Sequence, residues 1–364
     1  MRIAQVAPLF ESVPPALYGG SERVVSWLTE ELVALGHEVT LFASGDSKTS
    51  AKLVSSSPKA LWRDSQVRET LPHHVLLVEE VLRRAAEFDV IHFHCDYVHF
   101  PLISRCKVPS ITTMHGLIHP RDHLNLFSAF PEVKLVSISN SQRTPIPNAS
   151  WCGTVYHGMP PELHSFQAAP QGYLLFLGRI SPDKGVERAI EIATRSKRQL
   201  KIAAKIYDED RAYFERKIEP LVRQSEQVEY IGEVGGIEKN ELLGNASGLL
   251  FPIQWEEPFG LVLIEALACG TPVIAWNRGS VPEIIENTVH GYIVEDISQA
   301  VAAVERLKDI RRDLCRKQFE DNFTVTRMAL KYLEIYRAQV QAGRGENVRD
   351  GFSSETSDAG CSYA

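Results

Sequence analysis

A chain of 364 residues is longer than the roughly 250–300 over which a single core extends, and its 44% hydrophobic content is ample for two domains. The formal charge of −7 argues against the basic face that a nucleic-acid partner requires. No apolar run approaches the roughly 20 residues of a membrane span, so at most a peripheral membrane contact is expected. The six cysteines show neither a C-x-x-C pair nor metal-ligand spacing, which fits reduced thiols in a cytoplasmic protein. The sequence sets no oligomeric state.

In chain order, Arg2 to Leu9 reads as a first strand. The loop Tyr18-Gly19-Gly20-Ser21 then leads into a helix with Val24, Val25, Leu28, Leu32 and Leu35 on one face. A second strand, Glu38 to Ala43, follows Gly36 and completes a βαβ unit. Residues 44–65 are polar and turn-rich and are expected as a mobile excursion. Val67 to Phe88 reads as a helix with a break at Pro72.

Asp89 to Phe93 is a strand whose end carries His92, His94 and Asp96. Period-two spacing puts these three on one side. A strand-end histidine packs or hydrogen-bonds more often than it ligates, so no metal site is expected, and His94 and Asp96 become candidates to face an acceptor. Ile111 to Met114 ends in His115-Gly116, where an open α/β sheet presents ligands. Short strands at 133–139 and 153–157 precede Gly158-Met159-Pro160-Pro161, which reads as an interdomain linker.

The second half repeats the pattern. Tyr173 to Leu177 runs into Gly178-Arg179-Ile180-Ser181-Pro182-Asp183-Lys184-Gly185 and then a helix, so two cations five residues apart share one turn and can converge on a diphosphate. Strands at 200–206 and 228–231 follow. The apolar run ending at Phe251 then enters a loop with Trp255, Glu256, Glu257 and Pro258. Phe259-Gly260 opens the helix Leu261 to Ala268. The free N–H groups at its start favour an anion. The helix is apolar except at Glu265, a buried carboxylate that calls for a hydrogen-bonding partner such as a ribose.

The stretch EPFG followed by EALACGTPVIA, with Glu257 and Glu265 eight residues apart, resembles the E-x7-E signature of retaining glycosyltransferases of family four. The resemblance spans residues 1 to 340. It implies the α/β GT-B fold: two doubly wound Rossmann-like domains about an interdomain cleft. Residues 1–158 would form the acceptor side and 159–325 the donor side. The helix 326–340 would return to the first domain, followed by a disordered tail over 341–364.

The resemblance further implies that Glu257 contacts donor-sugar hydroxyls and Glu265 the ribose. Arg179 and Lys184 would clamp the diphosphate beside Gly178 and the helix start at Phe259, Gly260 and Leu261. Gly19 and Gly20 would approach the donor phosphates or the acceptor, and His115 would contact the transferred sugar. The base would be held by backbone around Ile231, Gly232 and Val234. The expected catalytic residues are thus His115, Arg179, Lys184 and Glu257. The expected reaction moves a glucose-type or mannose-type hexose from a nucleoside diphosphate sugar, UDP-glucose first, to a hydroxyl of a small-molecule or glycan acceptor. It would proceed with retention of the α configuration, without cofactor or metal. The alternatives are a sugar-nucleotide 2-epimerase, which consumes donor without acceptor, and a noncatalytic sugar-nucleotide-binding protein.

Overall fold

The computed structural model describes residues 1–16, 19–103 and 105–353. Two parallel sheets divide the chain. The first holds β1 (Arg2–Val6), β2 (Glu38–Ser44), β3 (Lys52–Ser57), β4 (Val90–Phe93), β5 (Ser110–Thr113), β6 (Leu135–Ser137) and β7 (Trp151–Thr154), in the order β3-β2-β1-β4-β5-β6-β7. The second holds β8 (Leu174–Arg179), β9 (Leu200–Lys205), β10 (Val228–Gly232), β11 (Gly248–Phe251), β12 (Val273–Trp276) and β13 (Gly291–Val294), in the order β10-β9-β8-β11-β12-β13. In each sheet the order reverses once, between β1 and β4 and between β8 and β11. Those reversals open the crevices where doubly wound sheets bind ligands.

Strand alternation sends successive residues to opposite faces, and both faces must be covered in a parallel sheet. On one side of the first sheet Ala4, Phe42, Ile91 and Leu135 pack together, and on the other Ile3, Val39, Val90 and Val136 do so. The terminal helix, Val325–Ser353, crosses back to cover this second face. Its Val325, Met328, Ala329, Tyr332, Leu333 and Tyr336 fall at helical spacing and are buried there. Met159 bridges to Thr324, so the two chain crossings lie side by side. Gly158 permits this, because a Cβ there would lie 2.2 Å from the Thr324 carbonyl oxygen.

Three expectations change. The polar stretch 44–65 contains β3, which pairs in parallel with β2 at the sheet edge; its Lys and Ser residues suit an edge strand, where one side faces water. The helix after it begins at Leu71, with Pro72 in its first turn, so the proline starts that helix instead of breaking it. The final helix runs on to Ser353; the remainder of the expected disordered tail, 354–364, lies outside the described residues. Among the described residues no helix is long and apolar enough to cross a membrane, and Cys95, Cys106, Cys152, Cys269 and Cys315 are free thiols.

Candidate active site

Because β8 and β11 are neighbours across the reversal of the second sheet, the loops leaving their C-terminal ends meet. The β8 loop brings Arg179 and Lys184 and the β11 loop brings Trp255 and Glu257. Lys184 Nζ lies 2.6 Å from Glu257 Oε2, and the Trp255 indole N–H donates to the same oxygen at 2.9 Å. The ammonium also sits 4.7 Å from the Trp255 ring centroid, a cation–π contact. Arg179 reaches Ser181 Oγ at 3.1 Å and Asp183 at 3.4 Å, so both cations of the turn face the crevice with carboxylates beside them.

The helix Leu261–Ala268 starts at the same place. Its N-cap, Gly260, has φ 77°, a left-handed conformation that glycine adopts without strain. It has no side-chain cap, so the first backbone donors remain available for an anion. The turn 278–280 braces the loop from behind. The Ser280 hydroxyl donates to the Phe259 carbonyl at 2.8 Å, and a Cβ on Gly279 would lie 2.2 Å from the Glu257 carbonyl oxygen.

Glu265, 6% exposed, is not the lone carboxylate that its apolar helix suggests. Lys239 Nζ lies 2.6 Å from its Oε1. Burial alone would raise this carboxyl, but the charge and hydrogen bond of Lys239, with His164 nearby, hold it below its ordinary value. Lys239 comes from the helix Gly236–Asn245.

The first domain supplies the opposite wall. Gly20 opens the helix Gly20–Ala34 behind β1, and a Cβ there would meet Leu261 Cδ1 at 3.7 Å. Gly19, just before it, lies against Pro15 so closely that a Cβ would fall 2.7 Å away. His115 stacks on His157 with ring centroids 5.3 Å apart, and His157 in turn meets Phe259 edge-on at 4.9 Å. The expected His115 therefore stands one ring away from the start of the helix Leu261–Ala268. Glu283 ties the walls together. Its carboxylate accepts from the Asn140 N–H at 2.8 Å, the Ser141 N–H at 2.7 Å and the Tyr156 hydroxyl at 2.8 Å.

Of the strand-end set, His92 and His94 lie together, with ring centroids 3.9 Å apart, but Asp96 does not join them. The strand ends at Phe93, and Asp96 turns away with φ 50°, so the period-two alternation fails beyond the strand. His94 is 2% exposed and both its ring nitrogens are engaged, by His115 at 2.9 Å and Gln5 at 2.8 Å. It therefore offers nothing to an acceptor. Asp96 is exposed and lines a hollow of about 180 Å³ with Phe10, His74 and Tyr97. Among the described residues no group of three or more His, Cys, Asp or Glu could hold a metal ion. Ile231, Gly232 and Val234 fall at the C-terminal end of β10, the sheet edge.

Sequence reasoning missed Lys239, Trp255, His157, Gln5 and Glu22. Glu22, in the first turn of the helix after Gly19-Gly20, is 6% exposed, and burial pushes its carboxyl up to about 7. An acid two residues beyond a glycine pair, in the first turn of a helix, was the one available signal. Lys239 and Gln5 carried none, because only the sheet order brings them to their partners.

Two parallel-sheet domains, each with its crevice at a strand-order reversal and the second carrying paired charges there, form the GT-B architecture. Two family models match the chain, Glycosyltransferase Family 4 over residues 18–142 and Glycosyl transferases group 1 over residues 164–322. The protein is a glycosyltransferase of the family-four type. An uncharacterised glycosyltransferase of Methanocaldococcus jannaschii is 26% identical over 80% of this chain and 84% of its own. Among solved structures, AviGT4, a glycosyltransferase involved in avilamycin A biosynthesis, is 26% identical with a TM-score of 0.73, covering 93% of this chain and 98% of its own. Sucrose-phosphate synthase from Thermosynechococcus elongatus shares the fold at 22% identity and a TM-score of 0.76, covering 94% and 99%.

Proposed function

We propose that the protein is a retaining hexosyltransferase using a nucleoside diphosphate sugar, UDP-glucose being the first to test, and a hydroxyl acceptor. The observation that carries this reading is the meeting of the β8 and β11 loops, which sets Arg179, Lys184, Glu257 and an uncapped helix start around one crevice. Without ligand, Lys184 and Glu257 neutralise each other at 2.6 Å. A donor would divide them, the diphosphate taking Lys184, Arg179 and the helix N–H groups and the sugar hydroxyls taking Glu257. The cations and the helix start supply the positive charge that a departing diphosphate needs, so turnover without added metal is expected. Glu265 receives the ribose hydroxyls, and backbone at 231–234 holds the base without selecting it by a side chain.

In the reaction, the bond between the anomeric carbon and the diphosphate oxygen breaks, and a bond to the acceptor oxygen forms on the same face. The acceptor proton passes to the departing phosphate oxygen, leaving a nucleoside diphosphate and an α-glycoside. Glu257 orients the sugar without attacking it, so no glycosyl-enzyme adduct should be trapped. Glu257→Ala should lower kcat more than donor affinity, whereas Glu265→Ala should act mainly on donor affinity; equal effects on affinity alone would refute these roles. The reading as a whole is tested by thermal unfolding with UDP, GDP, ADP and their hexose conjugates. At about a hundred times its Kd a ligand stabilises by roughly 2.7 kcal/mol. One nucleotide should raise the midpoint, and Glu265→Ala should abolish that rise. No shift with any of them would overturn the donor site.

A further inference from the structure

Beneath the cleft face of the first domain buried polar side chains form one line of hydrogen bonds, and its directions from Gln5 to His115 follow from the Gln5 amide. Gln5, on β1, anchors it. Its Oε1 lies 2.8 Å from His94 Nε2 and its Nε2 lies 2.9 Å from the Tyr336 hydroxyl. A carbonyl oxygen only accepts, so His94 carries a proton on Nε2. Burial holds His92 and His94 well below the ordinary imidazole range and His115 at about 4, so each ring is neutral with a single N–H. His94 Nδ1 is then an acceptor, and the 2.9 Å contact with His115 Nε2 is donated by His115.

Beyond Gln5 the line continues to the terminal helix. Tyr336, having accepted from Gln5, lies 2.7 Å from His92 Nδ1. His92 Nε2 lies 2.7 Å from Thr113 Oγ1, which lies 2.9 Å from the Tyr332 hydroxyl. Seen from the cleft, His115 is the head of the line and the terminal helix is its foot. With Nε2 committed, His115 is left with a lone pair on Nδ1. That atom is buried and has no hydrogen-bond partner among the described residues, and a buried acceptor without a donor is unfavourable.

We infer that Gln5, acting through His94, fixes His115 in the Nε2–H tautomer so that its Nδ1 accepts a hydrogen bond from a hydroxyl of the transferred sugar. The ligand class follows from the chemistry: an imidazole lone pair accepts from a hydroxyl and repels a phosphate or carboxylate oxygen, so this wall of the cleft admits the sugar and not the diphosphate. His115 stacks on His157, which packs against Phe259 at the donor-side helix, and that places the lone pair beside the sugar's end of the crevice. Gln5 and His94 are positioning residues. The identity of the hydroxyl rests on the donor-site reading above, whereas the tautomer and its control by Gln5 do not.

The decisive experiment measures imidazole nitrogen-15 chemical shifts in the unliganded, histidine-labelled protein, with the His115 signals identified by their loss in His115→Gln. His115 should show a pyridine-type Nδ1 and a pyrrole-type Nε2. The reverse pattern would overturn the inference, because it requires the Gln5 amide turned over and the line running the other way. Gln5→Leu should leave His115 as a mixture of tautomers, and Gln5→Glu, which keeps an acceptor for His94, should preserve the single one. If Gln5→Leu does not fold, Tyr336→Phe with intact Gln5 serves: it should alter the His92 signals and leave those of His115 in place. His115 signals unmoved in a folded Gln5→Leu, or reversed in Tyr336→Phe, would remove Gln5 as the anchor.

UDP, GDP, ADP and their glucose conjugates are then added. The Nδ1 signal should move with a conjugate and not with the bare nucleotide, and Gln5→Leu should weaken the conjugate relative to the nucleotide by about tenfold. A conjugate that binds, as thermal unfolding reports, without moving Nδ1 refutes the sugar contact while the donor site stands. If no nucleotide binds at all, the donor reading fails and the sugar contact falls with it, and the unliganded spectra still decide what Gln5 does.

Discussion

The two walls of the cleft handle polarity in opposite ways. On the second domain the groups facing the crevice are ions in short pairs, Lys184 with Glu257 and Lys239 with Glu265, each at 2.6 Å. On the first domain they are neutral imidazoles, an amide and hydroxyls joined end to end, with His92, His94 and His115 all held uncharged by burial. Paired ions can be parted by a charged ligand and re-paired when it leaves, which suits a wall that captures and releases a diphosphate. A neutral line has no charge to exchange and only its direction to offer, which suits a wall that sets the orientation of hydroxyls.

The contrast is broken most severely at the charged wall. Lys239→Met strands the buried Glu265 without a partner, a change that costs about 3 kcal/mol or more, and Glu265→Leu leaves the partly buried Lys239 unpaired at a smaller cost. The double variant should recover much of that loss, because a buried pair replaced by packed apolar groups is often close to neutral. Chemical denaturation of the four proteins would show it, and losses that simply add would mean the two side chains do not act as a pair. No member of the set except the parent should retain nucleotide-dependent stabilisation.

Acid separates the walls next. The imidazoles of the first domain have folded values below their ordinary one, so the unfolded chain binds more protons as the pH falls through about 6.5, and stability drops from there toward the His115 value of about 4. The slope is up to about 1.4 kcal/mol per pH unit for each imidazole. Glu22, raised to about 7, works against them: it favours the folded state below that value and offsets part of the loss between about 4.5 and 7. The carboxyl of Glu265, held low, withdraws its contribution only below the ordinary carboxylate range. Unfolding midpoints measured from pH 7 to pH 5 should therefore fall, and His92→Asn should flatten the fall while lowering stability at pH 7. A midpoint that rises on acidification, and still rises in Glu22→Gln, would mean that these rings are charged.

How far the sequence discloses each wall follows the same division. The charged wall is legible because its parts sit in short, local strings. Gly178 to Gly185 forms one turn, and Phe251 to Gly270 forms one loop and one helix, so the residue types and spacing already show which charges share a crevice. The doubly wound architecture is legible for a similar reason, since each βαβ unit is continuous in the chain. The neutral wall is not. Gln5, His94, His115 and Tyr336 lie on β1, at the ends of β4 and β5, and on the terminal helix, and only the order β1-β4-β5 with that helix laid across it makes them neighbours. The strand-end His94 reads as an acceptor contact because nothing local announces that its ring nitrogens are spoken for. The edge strand Lys52–Ser57 escaped notice for the converse reason: its composition is that of a loop, and it is a strand because β2 offers it a partner.

The smallest effect is expected where the walls touch. Glu283 belongs to the second domain and gathers two backbone N–H groups and the Tyr156 hydroxyl of the first, a carboxylate capping the short helix Asn140–Arg143 from across the cleft. Charge-assisted bonds of this kind reach about 1.5–3 kcal/mol when buried, and the half-exposed position brings the expectation for Glu283→Ala down to about 1–2 kcal/mol. Neither wall's own core depends on it, so the loss should appear in the relation between domains: a larger radius of gyration by small-angle scattering without ligand, returning to the parent value when a nucleotide sugar draws the domains together. Glu283→Gln keeps an acceptor but loses the charge and should fall between the two. A variant as compact as the parent without ligand would show that Glu283 caps its helix and leaves the angle of the cleft to the terminal helix, whose Tyr332 and Tyr336 hold the first domain from behind.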